Sequence, residues 1–140
     1  MDFKITISNG LKKGLNTLWM LTKIVIPVYF FVTFLKYTPV LDWISDFFAP
    51  AMKILGLPGE ASIVLVLGNL INLYAGVGAI ASLSLTKEQI TILAVMLSFS
   101  HSLFMETAVA KKTGVNIIFV IFLRIILSIL AGLLMIKIIL

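Results

Sequence analysis

The hydrophobic positions of this chain fall into long blocks parted by short polar breaks. The first clear block runs from Leu18 to Leu35 and stops at Lys36, which predicts a membrane-spanning helix. Trp19 at one end and Tyr37 beyond the other suit the two interfaces. Pro27 predicts a kink or a freed carbonyl in mid-span. Lys23, one turn in, reads as a lysine that snorkels to the headgroups. Ahead of this span, Met1 to Leu18 alternates apolar residues with Lys4, Lys12 and Lys13. Leu11, Leu15 and Leu18 fit one helical face while Gly10 and Gly14 weaken it, so this stretch reads as an interfacial lead-in.

Pro39 to Leu55 has a different texture. Leu41, Ile44, Phe47, Phe48 and Leu55 are interleaved with Asp42, Ser45, Asp46 and Lys53, too polar for lipid. The pattern predicts an amphipathic interfacial helix, broken near Pro50. After Gly56-Leu57-Pro58-Gly59, the stretch Glu60 to Tyr74 is apolar apart from Glu60, Ser62, Asn69 and Asn72. Its roughly 15 residues make ~22 Å of helix, short of a ~30 Å hydrocarbon core. Gly76 and Gly78 follow, and a helix discontinuity is expected between Tyr74 and Ala79. Glu60 to Leu85 is then either one broken span or a re-entrant hairpin.

Thr86 with Gln89 three residues later has the spacing of a capping box. A span from Gln89 to Ala110 is predicted behind it, closed by Lys111-Lys112-Thr113-Gly114. A last span covers Val115 to Leu140, with Arg124 inside it. The expected fold is an all-α integral membrane protein: one domain over residues 1–140, with three to four spans, an interfacial amphipathic helix, and a broken helix or re-entrant hairpin.

Composition agrees with this reading. The chain is 61% hydrophobic and 12% charged, with a mean hydropathy of +1.17, where soluble domains carry about 25% charged residues. The net charge of +5 is spread over the ends of apolar blocks, which points to lipid headgroups and away from nucleic acid. No cysteine is present, so neither a disulfide nor a thiolate site can form. One histidine without cysteine does not make a zinc site. There is no phosphate-cradling loop and no nucleophile elbow, so neither an enzyme nor a cofactor is expected. Lys12-Lys13 is not followed by a small-residue cleavage site, so a removed signal peptide is not expected.

The candidate chemistry lies in polar residues inside apolar blocks. Ser98-Phe99-Ser100-His101-Ser102-Leu103-Phe104-Met105-Glu106 carries hydroxyls, the single histidine and a carboxylate. Ser98, Ser102 and Glu106 share one face of a straight helix, whereas His101 and Glu106 do not face each other there and converge either on a partner helix or through a break near Ser102. Such groups either bond neighbouring helices together or serve a polar ligand. Glu60 opens a helix, where a carboxylate offsets the helix dipole or faces a cavity. Asn69 and Asn72 are expected on one face. Arg124 in the last span needs a carboxylate partner, Glu106 or Glu60. Arg124, Ser128 and Gly132 share a face, with Ser128-x-x-x-Gly132 as a close-packing pattern. The expected substrate-binding set is Glu60, Asn69, Asn72, Ser98, His101, Ser102 and Glu106, around one polar cavity.

Leu57-Pro58-Gly59-Glu60-Ala61-Ser62, Asn72-Leu73-Tyr74-Ala75, Ser100-His101-Ser102, Glu106-Thr107-Ala108-Val109 and Lys111-Lys112-Thr113-Gly114 also carry a resemblance. Over Phe47 to Val115 the chain resembles the nucleoside-recognition (Gate) domain family of small membrane proteins, the wider group of spore maturation proteins A and B. Gate repeats of concentrative nucleoside transporters and of ferrous-iron transporter B are more distant members. The resemblance implies a transporter-like helical fold, in which paired, oppositely oriented repeats put broken helices around a central site. It does not name a substrate.

Two functions follow as expectations: a transporter subunit or minimal transporter for a small polar solute, or a non-transporting membrane scaffold or accessory subunit. A bacterial or archaeal cell membrane is the expected location. The transporter reading predicts a dimer, with itself or with a related Gate chain, in opposite orientations. If the broken segment crosses the membrane, Lys4, Lys12, Lys13, Lys87 and Lys137 face Lys36, Lys53, Lys111 and Lys112, 5 against 4. A re-entrant hairpin puts Lys4, Lys12, Lys13, Lys111 and Lys112 against Lys36, Lys53, Lys87 and Lys137, again 5 against 4. Positive residues normally collect on the cytoplasmic side, and a near tie lets one sequence insert both ways.

Overall fold

The computed structural model describes residues 3–139, and every regular element among them is helical. The helices are α1 (Phe3–Lys36), α2 (Pro39–Ile54), α3 (Ser62–Leu70), α4 (Leu73–Ser82), α5 (Lys87–Ser100), α6 (Leu103–Lys111) and α7 (Ile117–Ile139), with a single 3-10 turn at Gly59–Ala61. Met1 and Asp2, at the start of the expected lead-in, and Leu140, at the end of the expected last span, lie outside the described residues.

Three helical segments are long and apolar enough to cross a membrane: Phe3–Lys36, Lys87–Lys111 and Ile117–Ile139. A fourth crossing is available if Pro39–Ile54 and Gly59–Leu70, bent by 93° at Leu55 to Pro58, act as one broken span. The outward faces are apolar and exposed, with Phe30, Phe31 and Phe34 on α1 and Ile118, Phe119 and Phe122 on α7. In water such patches would drive aggregation; in lipid they are the solvated surface. The chain is an all-α integral membrane protein, as expected.

Local structure departs from expectation at four places. The lead-in and first span are one helix: α1 has 34 residues, which is ~51 Å and about 20 Å more than the hydrocarbon core. Residues 3–20 are exposed on all sides, so Gly10 and Gly14 cost this helix little beyond propensity. Pro27 lies inside α1 and does not end it, and the Lys23 ammonium sits 5.3 Å from the centroid of the Trp19 ring. Pro50 likewise does not break α2, which runs on to Ile54 between its two buried anchors, Leu41 and Met52. Only one intrahelical bond is lost at each proline, and tertiary packing outweighs it.

The third departure is the position of the break. α4 is continuous through Gly76 and Gly78, and the chain breaks earlier, at Ile71-Asn72. Asn72 has extended backbone and accepts from the Ala75 amide through Oδ1 at 3.0 Å, an N-cap that starts a new helix. The glycines serve close approach. A Cβ on Gly76 would lie 3.1 Å from Leu97 Cδ1 and 3.3 Å from Gly68 Cα; one on Gly78 would lie 2.9 Å from the Val25 carbonyl oxygen. The break also takes Asn69 and Asn72 off a common face.

The fourth departure is a second break. The expected span Gln89 to Ala110 starts at the predicted cap, where Thr86 Oγ1 accepts from the Gln89 amide and Gln89 Oε1 accepts from the Thr86 amide. It then divides at His101-Ser102 into α5 and α6. α7 packs along α5, α4 packs against α1 and α3, and a core of Val32, Val64, Ala79, Ile92, Leu93 and Leu97 lies between them.

Candidate functional site

Two broken helices meet in this fold. At the α5/α6 break, Ser102 takes the left-handed conformation at φ 52° and ψ 38°. That conformation costs a non-glycine residue about 1–2 kcal/mol. A tertiary hydrogen bond holds it: the Ser102 amide donates to the Gly68 carbonyl at 2.9 Å, three residues before the α3/α4 break. Gly68 permits the approach, since a Cβ there would stand 2.6 Å from Leu97 Cδ2.

The turn at Ser102 swings His101 and Glu106 together. His101 Nε2 lies 3.0 Å from Glu106 Oε1, and His101 Nδ1 lies 2.7 Å from the Leu97 carbonyl oxygen. Arg124 reaches the same place from α7. Its Nε donates to the Phe99 carbonyl and its Nη2 to the His101 carbonyl, both at 2.9 Å, and Nη2 stands 2.7 Å from Glu106 Oε2. The guanidinium thus closes the carbonyl end of α5, where the helix dipole favours a cation, and neutralises the carboxylate that opens α6. Of the two partners expected for Arg124, the structure selects Glu106.

Below this cluster α5 and α7 are bolted by hydroxyls. Ser128 Oγ donates to the Met96 carbonyl at 2.9 Å, and Ser100 Oγ lies 3.1 Å from that carbonyl and 3.2 Å from Ser128 Oγ. One turn on, a Cβ on Gly132 would lie 2.8 Å from Met96 Sδ. The Arg124, Ser128, Gly132 face is therefore the α5 contact face, as its spacing predicted.

A cavity of about 380 Å³ opens between α2, α3, α5 and α7. Asn69, Ser100 and Ser128 are its polar lining; Met52, Leu65 and Met96 belong to the larger apolar part. Asn69 Oδ1 is buried with no hydrogen-bond partner, as is Thr107 Oγ1 on α6. A buried acceptor without a partner costs about 1–3 kcal/mol, so it marks a place where a donor would be welcome.

Of the residues nominated from sequence, His101, Ser102 and Glu106 come together at the α5/α6 break, and Asn69 lines the cavity. Asn72 is spent as the cap of α4. Ser98 is exposed, and its hydroxyl donates to the Val95 carbonyl at 2.7 Å. Glu60 lies in the 3-10 turn beside α2 and, among the described residues, makes no ion pair. The break removes the straight-helix face that joined Ser98, Ser102 and Glu106. Sequence reasoning missed Gly68, whose only signal is its place just before Asn69 and Asn72, and gave Ser100 no separate role.

The profile of the Gate family, described as nucleoside recognition, matches residues 18–116. The chain belongs to this family. The match starts at residue 18, ahead of the 47–115 core suggested by the motifs, and so takes in the first span. Among curated proteins, the chain is 48% identical over 116 residues to an uncharacterized membrane protein of Bacillus subtilis, YvoD, covering 83% of this chain and 37% of that protein. It is 38% identical over 73 residues to the inner membrane protein YjiG of Escherichia coli, covering 49% of this chain and 47% of that protein. The chain thus matches less than half the length of either relative. No solved structure matches it. These relatives and the apolar helices make this Gate chain an integral membrane protein of the bacterial cell membrane.

Proposed function

We propose that this Gate chain is a subunit of a transporter for a small polar solute. It works as a dimer of oppositely oriented units, either two copies or one copy with a related Gate chain. The carrying observation is the contact of two helix breaks, Ser102 on Gly68, beside an ionised cluster. Repeat-built transporters place their sites where discontinuous helices meet, because broken backbone offers amides and carbonyls to a solute at membrane depth. Of the residues nominated from sequence, His101, Ser102 and Glu106 are the ones proposed to face the solute, with Asn69 lining the adjoining cavity. The family description favours a nucleoside-sized polar molecule. The matched segment is only 37% of YvoD, so that relative has room for a second unit of this size in one chain.

The test is thermal stability of the purified protein against nucleosides, amino acids, organic anions and metal ions, followed by uptake into proteoliposomes. One solute class should raise the melting temperature, and E106Q should abolish the effect. A second reading, a non-transporting scaffold, is favoured by how completely Arg124, Glu106, His101, Ser100 and Ser128 satisfy one another within one chain. On that reading no solute stabilises the protein, and E106Q lowers stability equally with and without solutes.

A further inference from the structure

The only histidine of the chain stands between two hydrogen-bond acceptors. A backbone carbonyl accepts and cannot donate, and the Leu97 carbonyl lies 2.7 Å from Nδ1. An ionised carboxylate likewise only accepts, and Glu106 Oε1 lies 3.0 Å from Nε2. A neutral imidazole has one N–H and one lone pair, so it satisfies one of these contacts and sets its lone pair against the other. Both contacts are attractive only when the pair holds one proton beyond neutral histidine and ionised glutamate. Glu106 already accepts from Arg124 Nη2 at 2.7 Å through Oε2, which leaves it acting as a carboxylate on both oxygens and puts the proton on the imidazole.

We infer that the His101–Glu106 pair is a proton-binding site, holding one exchangeable proton on the imidazole, and that this proton is the ion coupled to transport. Arg124 strengthens the assignment. Its guanidinium occupies the Phe99 and His101 carbonyls at the end of α5, the oxygens a metal cation would seek in a broken helix, so a fixed cation already serves there. The elements packed on α5 and α6 carry few titratable groups. Among the described residues α3 has none; α7 has Arg124 and the distant Lys137; α5 has Lys87 and Glu88 at its opposite end; α6 has Glu106 and, at its far end, Lys111.

Release is stoichiometric. The Nε2–H bond breaks with its electron pair left on nitrogen. The proton passes to Glu106 Oε1, whose side chain is 47% exposed, and on to a water that the proposal places beside it. Glu106 is left as the carboxylate, and the cluster of His101, Glu106 and Arg124 goes from one net positive charge to none. The Nε2 lone pair then faces the carboxylate, so the contact across the break opens while Nδ1–H stays on Leu97. Loss of the proton therefore loosens the joint between α5 and α6 where the α3/α4 break touches it.

With a single histidine, protein carrying 15N-labelled histidine gives nitrogen signals from His101 alone. In phosphatidylcholine nanodiscs at neutral pH, the wild type should show both nitrogens protonated. In E106Q the glutamine amide donates to Nε2, and the imidazolium pattern should be lost. A wild type with one unprotonated nitrogen, or an E106Q protein with an unchanged imidazolium pattern, overturns the proton site; the wild-type spectrum decides alone if E106Q does not fold. The coupling rests on the transport reading and has its own readout, uptake into proteoliposomes under an imposed pH gradient. Uptake that ignores the gradient overturns the coupling, whereas no uptake of any solute overturns the transport reading and leaves the spectrum to judge the site.

Discussion

Replacing Gly68 by alanine tests whether the two breaks touch as described. The new Cβ would stand 2.6 Å from Leu97 Cδ2 and 3.1 Å from Leu97 Cδ1, well inside van der Waals contact. Leu97 cannot readily withdraw. It is 1% exposed, and its Cδ1 also lies close to the place a Cβ on Gly76 would take. Overpacking of this kind costs about 1–3 kcal/mol. Gain of helix propensity at an α3 position returns at most about 1 kcal/mol, so the net effect of G68A is a loss. Leu97→Ala removes the obstructing methyl groups and by itself leaves a cavity, at about 2–5 kcal/mol. In the double variant the alanine at 68 should cost nothing or stabilise slightly. The coupling across the cycle should therefore be roughly 1–3 kcal/mol of rescue, well above the few tenths seen for independent sites. Denaturant titration in detergent, read by far-ultraviolet circular dichroism, measures all four proteins. If G68A costs the same in both backgrounds, Gly68 does not meet Leu97 and the packing of α3 on α5 is wrong.

Other consequences are equally open to measurement. N72A, which removes the cap of α4, should lower stability by about 0.5–2 kcal/mol, and N72D should restore most of it; equal losses in both would remove the cap from the account. R124A should cost about 2–4 kcal/mol, reduced because Glu106 is half-exposed. R124K should fall between R124A and the wild type, since an ammonium keeps the charge but not the fork, and R124K matching R124A in the same titration would argue against a charge role. G132L should wedge α7 from Met96 and Leu55 at about 1–3 kcal/mol, detectable as faster cleavage by protease in the 112–116 connection. Reporter fusions at the C-terminus should mark both sides of the membrane; a signal from one side only would rule out self-pairing in opposite orientations and require a separate partner chain.

The class of fold was legible because it rests on block lengths that lipid enforces. α7 is dominated by Ile, Leu, Phe and Val over 23 residues, and its few polar or small positions, Arg124, Ser128 and Gly132 among them, do not shorten the apolar block. The capping box at Thr86 was legible because cap and partner are three residues apart in sequence. The breaks were harder for a physical reason. Gly76 and Gly78 look like helix breakers, yet in this fold their lack of a side chain serves contact with Leu97 and Val25, a use only the tertiary neighbours reveal. Ser102 carries no glycine-like signal at all. Its left-handed backbone is stabilised by Gly68, distant in sequence, so a window centred on Ser102 reads as continuous helix. Of the site, the Arg124 partnership was half legible, because a mid-span arginine must find a carboxylate, while the choice of Glu106 needed the break that no periodicity announced.

The broken backbone and the polar cluster explain each other. A break inside a span exposes carbonyls that lipid cannot satisfy, at several kcal/mol each. Here the Leu97 carbonyl receives the His101 amide and faces the His101 ring, the Phe99 and His101 carbonyls receive the Arg124 guanidinium, and the Gly68 carbonyl receives the Ser102 amide. His101 and Arg124 each satisfy a carbonyl and engage Glu106 at once, so the charges that close the break are tied to one carboxylate. Removing a proton from that unit, or offering the carboxylate a different cation, changes both the charge and the backbone geometry of the break together. A scaffold helix gains nothing from that linkage, since an unbroken α5–α6 would leave fewer groups to satisfy. The linkage is useful where a helix joint must respond to what is bound beside it, and that is why the gate-like reading outranks the scaffold.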